Sequence, residues 1–383
     1  MPLLLITINF RLFKAELGEK SNTYHNRGAT KTVLNDISEL PGIKPRQVKL
    51  LQDQGIMTAQ ALAMLAPDAL SEIDGISGKS AKQLIWQARE SLNLTAFVPA
   101  GQIKDDYQHI TTLSGELDRI LGGGVSTGRI TEVFGAFKSG KTCLSHSVAV
   151  SVQLPPERGG LGKACAFVDT ENTFSKEKAE RIARRVGIDP AEALSHIFHV
   201  KVFSSDHQMQ MVRNSESIIE SHNIGLIIVD SLMALFRAEY VGIGALARRQ
   251  QALNNLIHDL GRIAEVYNVA ILVTNQVATR MLGAGFAQDD AIGGNIVAHG
   301  CHFRLQFQAK GFQKNQSLER KAIIVDAPDL PPEDCQFFIT EAGVADTEQV
   351  EYALRDGKTT ESPKKKKKAK VTAPVEDEVL EKA

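Results

Sequence analysis

The sequence predicts an α/β protein whose core is a mostly parallel central sheet, preceded by a small all-α unit. Three observations carry this. Between about residues 111 and 344, short apolar runs (ITEVFG, KACAFVDT, GLIIVD, VAILVTNQ, HFRLQFQ and KAIIVDAP) alternate with helical stretches. Strands buried on both faces read as continuous apolar runs, and strand–helix alternation favours parallel pairing. The first run is followed at once by a glycine-rich turn, GAFKSGKT, and then a helical pattern. Residues 33–92 show no strand-like alternation and read as helices joined by short turns.

A chain of 383 residues is long enough for two or three domains and a sizeable core. Its net charge of -1 excludes a polycation, so any nucleic acid must be met by local basic surfaces. The cysteines (Cys143, Cys165, Cys301, Cys335) form no CxxC or Cys/His cluster. This argues against a zinc site or disulfide scaffold and fits a reducing compartment. The apolar opening MPLLLITINF is too short to span a bilayer, and no membrane partner is expected.

Five segments follow. Residues 1–32 are a poorly defined extension. Residues 33–92 contain an internal repeat, Leu40-Pro41-Gly42-Ile43 recurring as Ile73-Asp74-Gly75-Ile76, each copy followed by a helix that opens with basic residues. The paired turns and helices make a helix-hairpin-helix unit, in which Lys44, Arg46, Lys79 and Lys82 are candidates for the backbone phosphates of duplex, with a protein-docking helical domain as the alternative. Residues 93–107, with Pro99 and Gly101, are a linker, residues 108–345 the α/β core. Residues 346–383 end in a lysine tract and an acidic stretch; they are expected to be disordered and dispensable.

The glycine-rich turn fits G-x-x-x-x-G-K-[ST] in its required strand–helix setting, which makes Gly135, Ala136, Phe137, Lys138, Ser139, Gly140, Lys141 and Thr142 a candidate phosphate cradle for ATP and magnesium. Backbone N–H groups and a helix N-terminus face the phosphates, Lys141 reaches the β/γ positions, and Thr142 offers a hydroxyl to the metal. Asp230, ending LIIVD, is the partner metal carboxylate at a buried strand end. Glu171 in FVDTEN is placed to orient an attacking water, and Gln276 in VTNQV to contact the γ-phosphate.

The series GAFKSGKT, VDTENTF, FSSDHQMQ, LIIVDSLMALFRAEYVG, RRQQALNNLIHDLGRIAE, VTNQV, GGNIVAH and VDAPDLP resembles the RecA/RadA strand-exchange recombinases, above all the archaeal type and its eukaryotic relatives, over residues 36–345. The resemblance implies a RecA-type P-loop ATPase core that binds ATP and Mg2+. It implies filaments, or closed rings, on single-stranded and double-stranded DNA, with DNA-stimulated hydrolysis coupled to strand exchange. Recombination mediators are further implied partners. The compartment is the cytoplasm for an archaeal chain and the nucleus for a eukaryotic one. Glu171 resembles the water-activating glutamate and Gln276 the γ-phosphate sensor. Residues 277–296 resemble the second DNA loop, with Arg280, Met281 and Phe286 facing DNA; Arg237 and Arg249 belong near the first. Phe97 and Ala100 fit the F-x-x-A motif that joins protomers. Asp326 to Pro331 resemble the cap laid over a neighbour's ATP, and His299 an interface histidine. The chain departs from the family at Ile243, where an arginine is usual, at Phe174–Lys178, and at Pro332. The Ile243 departure favours the alternative of a mediator that exchanges no strands.

Overall fold

The computed structural model describes residues 36–102, 106–281, 287–309, 318–353 and 359–361. In the first part, α1 (Pro45–Asp53), α2 (Ala59–Ala63), α3 (Pro67–Ser71) and α4 (Gly78–Ser91) pack around Ile37, Leu51, Leu62, Leu70, Leu84 and Ile85. Thr58 and Ser77 cap α2 and α4 by accepting the backbone N–H of Ala61 and Ser80. Such caps satisfy donors that the helix leaves without partners. The repeat glycines Gly42 and Gly75 sit at φ of 79° and 95°, a region costly for other residues. Gln47 Nε2 donates to Ser80 Oγ over 3.1 Å, so the first turns of α1 and α4 lie side by side.

The core begins with β1 (His109–Ile110), α5 (Gly115–Ile120), β2 (Val125–Ser126), β3 (Ile130–Gly135), α6 (Lys141–Ser151) and β4 (Ala164–Asp169). It continues through α7 (Lys176–Val186), α8 (Pro190–Ser195), β5 (Ile197–Lys201), α9 (Ser205–Ser221), β6 (Ile224–Asp230) and α10 (Ala234–Glu239). Next come α11 (Leu246–Tyr267), β7 (Ala270–Asn275), β8 (Val277–Met281), β9 (Ala287–Ala291) and α12 (Asn295–Gly300). The described chain ends with β10 (Phe303–Ala309), β11 (Glu319–Asp326), β12 (Asp334–Thr340), β13 (Gly343–Ala345), β14 (Glu351–Ala353) and β15 (Thr359–Glu361).

The main sheet runs β13-β12-β11-β10-β3-β7-β6-β4-β5. Pairings from β10 through β5 are parallel, and the β10–β11, β11–β12 and β12–β13 pairings are antiparallel. The fold class read from the sequence therefore holds. The antiparallel flank follows from connection length: the chain from Ala309 to Glu319 and from Asp326 to Asp334 is too short for the crossover that a parallel pair needs. Alternation sorts the strand side chains to two faces. Cys165, Phe167, Leu226 and Ile228 pack under α5–α8, while Ala166, Val168, Ile227 and Val229 pack under α9 and α11.

Residues 277–296, which resemble the second DNA loop, contain a hairpin, β8 paired with β9; its runs are too short and polar to register as strands. In the linker, Ala100–Gln102 form a 3-10 turn. One expectation needs correction: the globular part does not stop at 345. The Asp346 carboxylate accepts the Ser114 hydroxyl at 2.5 Å and the N–H of Gly115 and Glu116 at 2.8 and 3.1 Å, Val350 is buried, and β14 pairs with β15. A lone Asp gives no pattern, so this long-range cap was invisible. The lysine tract lies outside the described residues. Asp346→Ala, or a chain ending at residue 345, should lower the urea midpoint by about 1–2 kcal/mol of stability, as for loss of a helix cap. Unchanged midpoints in both would show that the cap contributes nothing.

Candidate nucleotide site

Four parallel strands end at one rim. Their register aligns Asp169 with Asp230, Val229 with Val273 and Phe134 with Asn275, so Gly135, Asp230, Glu171 and Gln276 emerge together. Open α/β sheets place ligands at this end. The turn after β3 is a cradle shaped by its glycines. A Cβ on Gly135 would lie 2.3 Å from the Phe307 carbonyl oxygen, and Gly140, at φ 111°, would meet Ile339 at 2.8 Å. Lys141 Nζ donates to the carbonyls of Gly135 and Ala136 at 2.8 and 3.0 Å, and burial lowers its pKa against the pull of Asp230 and Glu171. Ser139 is buried, whereas Phe137 is exposed. At the tip, Lys138 has φ 63°, and its carbonyl accepts from Arg320 Nε and Nη2 at 3.2 and 3.1 Å.

Asp230 is almost wholly buried. Burial raises its pKa, opposed by hydrogen bonds from Thr274 and Thr142 and by Lys141, while nearby Glu171 raises it further. Thr274 Oγ1 donates to Oδ1 at 2.5 Å, but Oδ2 has no partner. A buried carboxylate oxygen without a partner is costly. Beside the Thr142 hydroxyl it fits a magnesium site, and Oδ2 is the observation that tests the fit.

Glu171 stands beside this group. Its Oε1 accepts the Ser231 hydroxyl at 2.5 Å and Gln276 Nε2 at 3.0 Å, and Gln276 Oε1 accepts Arg237 Nη1 at 3.0 Å. The loop that carries Glu171 is wound around Asp169, which accepts the N–H groups of Glu171, Thr173 and Phe174 at 3.1–3.2 Å and His199 Nε2 at 3.2 Å. Burial alone would raise the Asp169 pKa, but these donors hold it below the ordinary value. His146 ties the same loop to α6. Its Nδ1 donates to the Thr142 carbonyl at 2.7 Å and its Nε2 accepts the Ser175 N–H at 2.8 Å, with its ring stacked on Phe174.

Other candidates fall elsewhere. Arg237, read as facing DNA, is bonded to Gln276. Arg249 lies half-buried on α11, and its Nε has no hydrogen-bond partner. Arg280 and Met281 stand on β8, while Phe286 is outside the described residues. Phe97 is fully exposed, and Ala100 and His299 are exposed. Asp326 and Pro331 lie at the opposite rim, since β11 runs antiparallel and pairs Asp326 with Arg304. Sequence reasoning did not find Asp169, Ser231, Thr274 or Arg320. The polar run VDT was a signal for Asp169; an Arg reached across 182 residues gave none. Among the described residues, no helix is long and apolar enough to cross a membrane.

This rim, with its glycine cradle, Lys141, Thr142 and buried Asp230, defines a P-loop protein of the parallel α/β class. Residues 104–347 match the Rad51 family, and residues 34–90 match a SAM-like helix-hairpin-helix tandem. The chain belongs to the Rad51 family. It is 39% identical over 324 residues to the protein named "DNA repair and recombination protein RadA" of Aeropyrum pernix, covering 84% of this chain and all of that relative. It is 40% identical over 320 residues to the like-named protein of Ignicoccus hospitalis, covering 82% of this chain and 96% of that one.

Burial holds the His146 pKa down at about 4, below its ordinary 6.5. A folded pKa below the unfolded one gives stability that is complete above 6.5 and lost as pH falls through the window to 4. The urea midpoint should therefore drop across that window, and His146→Gln should flatten the drop. An equal slope in the variant would exclude His146 as its source.

Proposed function

We propose that the chain is an ATP-dependent recombinase that assembles on single-stranded DNA and exchanges homologous strands, with ATP hydrolysis stimulated by DNA. The observation that carries this reading is the hydrogen-bonded run Glu171–Gln276–Arg237. It links the carboxylate beside the phosphate cradle to the root of the β8–β9 hairpin and to α10, the elements that lead into the two expected DNA loops. The mediator alternative has no need of that linkage. The relatives named for DNA repair and recombination also support the recombinase.

Bound ATP supplies the phosphoanhydride, and magnesium neutralises charge on its β/γ-phosphates. Backbone N–H groups of Gly135 to Thr142 would bind the phosphates, with Lys141 as the facing cation. Thr142 and Asp230 would hold the metal. Glu171, kept in place by Ser231 and Gln276, orients the attacking water and accepts its proton. Gln276 reports γ-phosphate occupancy to the hairpin, where Arg280, Met281 and Phe286 meet DNA, and Arg237 and Arg249 serve the first loop. In the N-terminal unit, Lys44, Arg46, Lys79 and Lys82 crowd the adjoining first turns of α1 and α4 and take phosphates there.

Protomers join through Phe97 and Ala100. The β5 strand is an edge of the main sheet, open to an added strand. Added there as a strand, with the Ala100 turn opened, Phe97 and Ala100 would point to opposite faces. On one face of β5, Phe198 and Val200 lie with Met211 and Ile218, a site for Phe97. On the other, Phe174, Leu194, Ile197 and His199 line a cavity of about 330 Å3, a site for Ala100. Asp326–Pro331, remote from its own cradle, then covers the next protomer's nucleotide, with His299 at the same interface.

Glu171→Gln should keep ATP bound and slow phosphate release roughly a hundredfold or more, whereas Lys141→Ala should lose nucleotide binding. Normal turnover in Glu171→Gln would remove it from the reaction. Phe97→Glu should cost about 2–4 kcal/mol per joint, giving a folded monomer by size-exclusion whose DNA-stimulated hydrolysis collapses. A large assembly that still hydrolyses ATP on DNA would sink the interface.

A further inference from the structure

We propose that the helix-hairpin-helix unit binds single-stranded DNA by stacking an unpaired base on the Trp86 indole, with Lys79 and Lys82 on the adjoining phosphates. This deepens the reading of that unit as DNA-binding by assigning the strand state and the residue that selects it.

Helix α4 buries Ala81, Leu84, Ile85 and Ala88 against the unit's own core. Its opposite face presents Lys79, Lys82, Gln83, Trp86 and Glu90, all exposed. Trp86, the only tryptophan of the chain, leaves 53% of its surface in water. An aromatic of this size ordinarily contributes through burial, so an exposed indole on a well-formed helix lacks a structural account. Its hydroxyl-free, flat face is set one turn beyond Lys82, and residues four apart on a helix are surface neighbours.

The surroundings select the occupant. Besides Trp86, that face is polar or charged, so it has no contiguous apolar patch of the kind that docks a protein. Two lysines followed one turn on by an aromatic ring, with Glu90 a further turn away, match a polyanion that also carries flat apolar faces. Single-stranded nucleic acid has this chemistry, and base–aromatic stacking is indifferent to sequence. Duplex DNA keeps its base faces stacked on one another and offers phosphates and base edges, so an indole gains little from it. Over residues 34–90 six basic side chains stand against seven acidic ones, so attraction must come from a local face. The adjoining first turns of α1 and α4, with Lys44, Arg46 and Lys79, provide it at the same end of α4 as Lys82.

Because Trp86 is the sole tryptophan, its emission reports the site directly in the intact chain. Oligo(dT) should be titrated without nucleotide, in wild type and in Phe97→Glu, so that protomer joining does not move the signal. The expected result is quenching in both that weakens with salt and is absent with duplex at equal phosphate concentration. Trp86→Ala should weaken oligo(dT) binding roughly tenfold by anisotropy, Trp86→Phe should restore most of it, and duplex binding should be unchanged in both. Three results would each overturn the proposal: no quenching by oligo(dT), equal quenching by duplex, or an emission change that follows assembly without DNA. Lys79→Glu with Lys82→Glu separates the two levels. If it weakens DNA binding while Trp86→Ala does not, the unit binds phosphates only, and the stacking proposal alone fails. If neither set weakens DNA binding, the DNA-binding reading of the unit fails with it.

Discussion

Asp169 is a carboxylate buried at the end of β4, and the chain satisfies it with N–H groups from the loop that carries Glu171. An ionised carboxylate cannot remain in an apolar interior without donors. The position of Glu171 is therefore set by the need to satisfy Asp169, one residue pair earlier. Parallel pairing of β4 with β6 then puts Asp169 level with Asp230. His199 on the edge strand and His146 on α6 close the arrangement from two more directions. The geometry of the rim thus follows from one buried charge and the level ends of four strands.

The same logic explains why the site can respond to what lies outside it. Glu171 accepts two hydrogen bonds on one oxygen, and one comes from Gln276. Gln276 sits between β7, which is wholly buried, and the β8–β9 hairpin, which is not part of the main sheet. A displacement of the hairpin has no rigid strand to pass through, but it must move Gln276. Arg237 adds α10 to the same run.

The fold was legible because buried parallel strands write themselves as unbroken apolar runs. ITEVFG, KACAFVDT, GLIIVD and VAILVTNQ are β3, β4, β6 and β7, the four that build the rim. The edge strand β5, IFHVK, escaped notice because His199 and Lys201 break the run, as an edge position allows. The hairpin β8–β9 escaped for a similar reason: VATRM and AQDDA contain no unbroken apolar run. At the site, the residues found by motif were those whose role is local to a strand end. Those missed act across the sheet. Thr274 reaches Asp230 over 44 positions and Ser231 reaches Glu171 over 60, and spacing along the chain carries no trace of such pairs. Asp346 capping α5 from 230 residues away is the same case, and it moved the end of the globular part beyond the boundary drawn from composition.

The antiparallel flank, which the strand pattern did not foretell, has a consequence for the proposed assembly. The β11 strand begins at the P-loop, where Arg320 holds the Lys138 carbonyl at a left-handed turn. It ends at Asp326, at the far rim. An eight-residue strand is about 3.4 Å per residue and is clamped on both sides, by β10 and β12. It is therefore a stiff element joining the tip of one protomer's cradle to the segment proposed to cover the next protomer's nucleotide. Arg129 anchors that far segment by its ion pair with Asp329 at 2.9 Å, with its guanidinium over Tyr107. A strand that ran parallel here would have ended at the cradle rim, beside its own P-loop. The reversal of β11 instead carries Asp326–Pro331 to the far rim, away from its own cradle, which is the placement that the proposed cover over a neighbour's nucleotide requires.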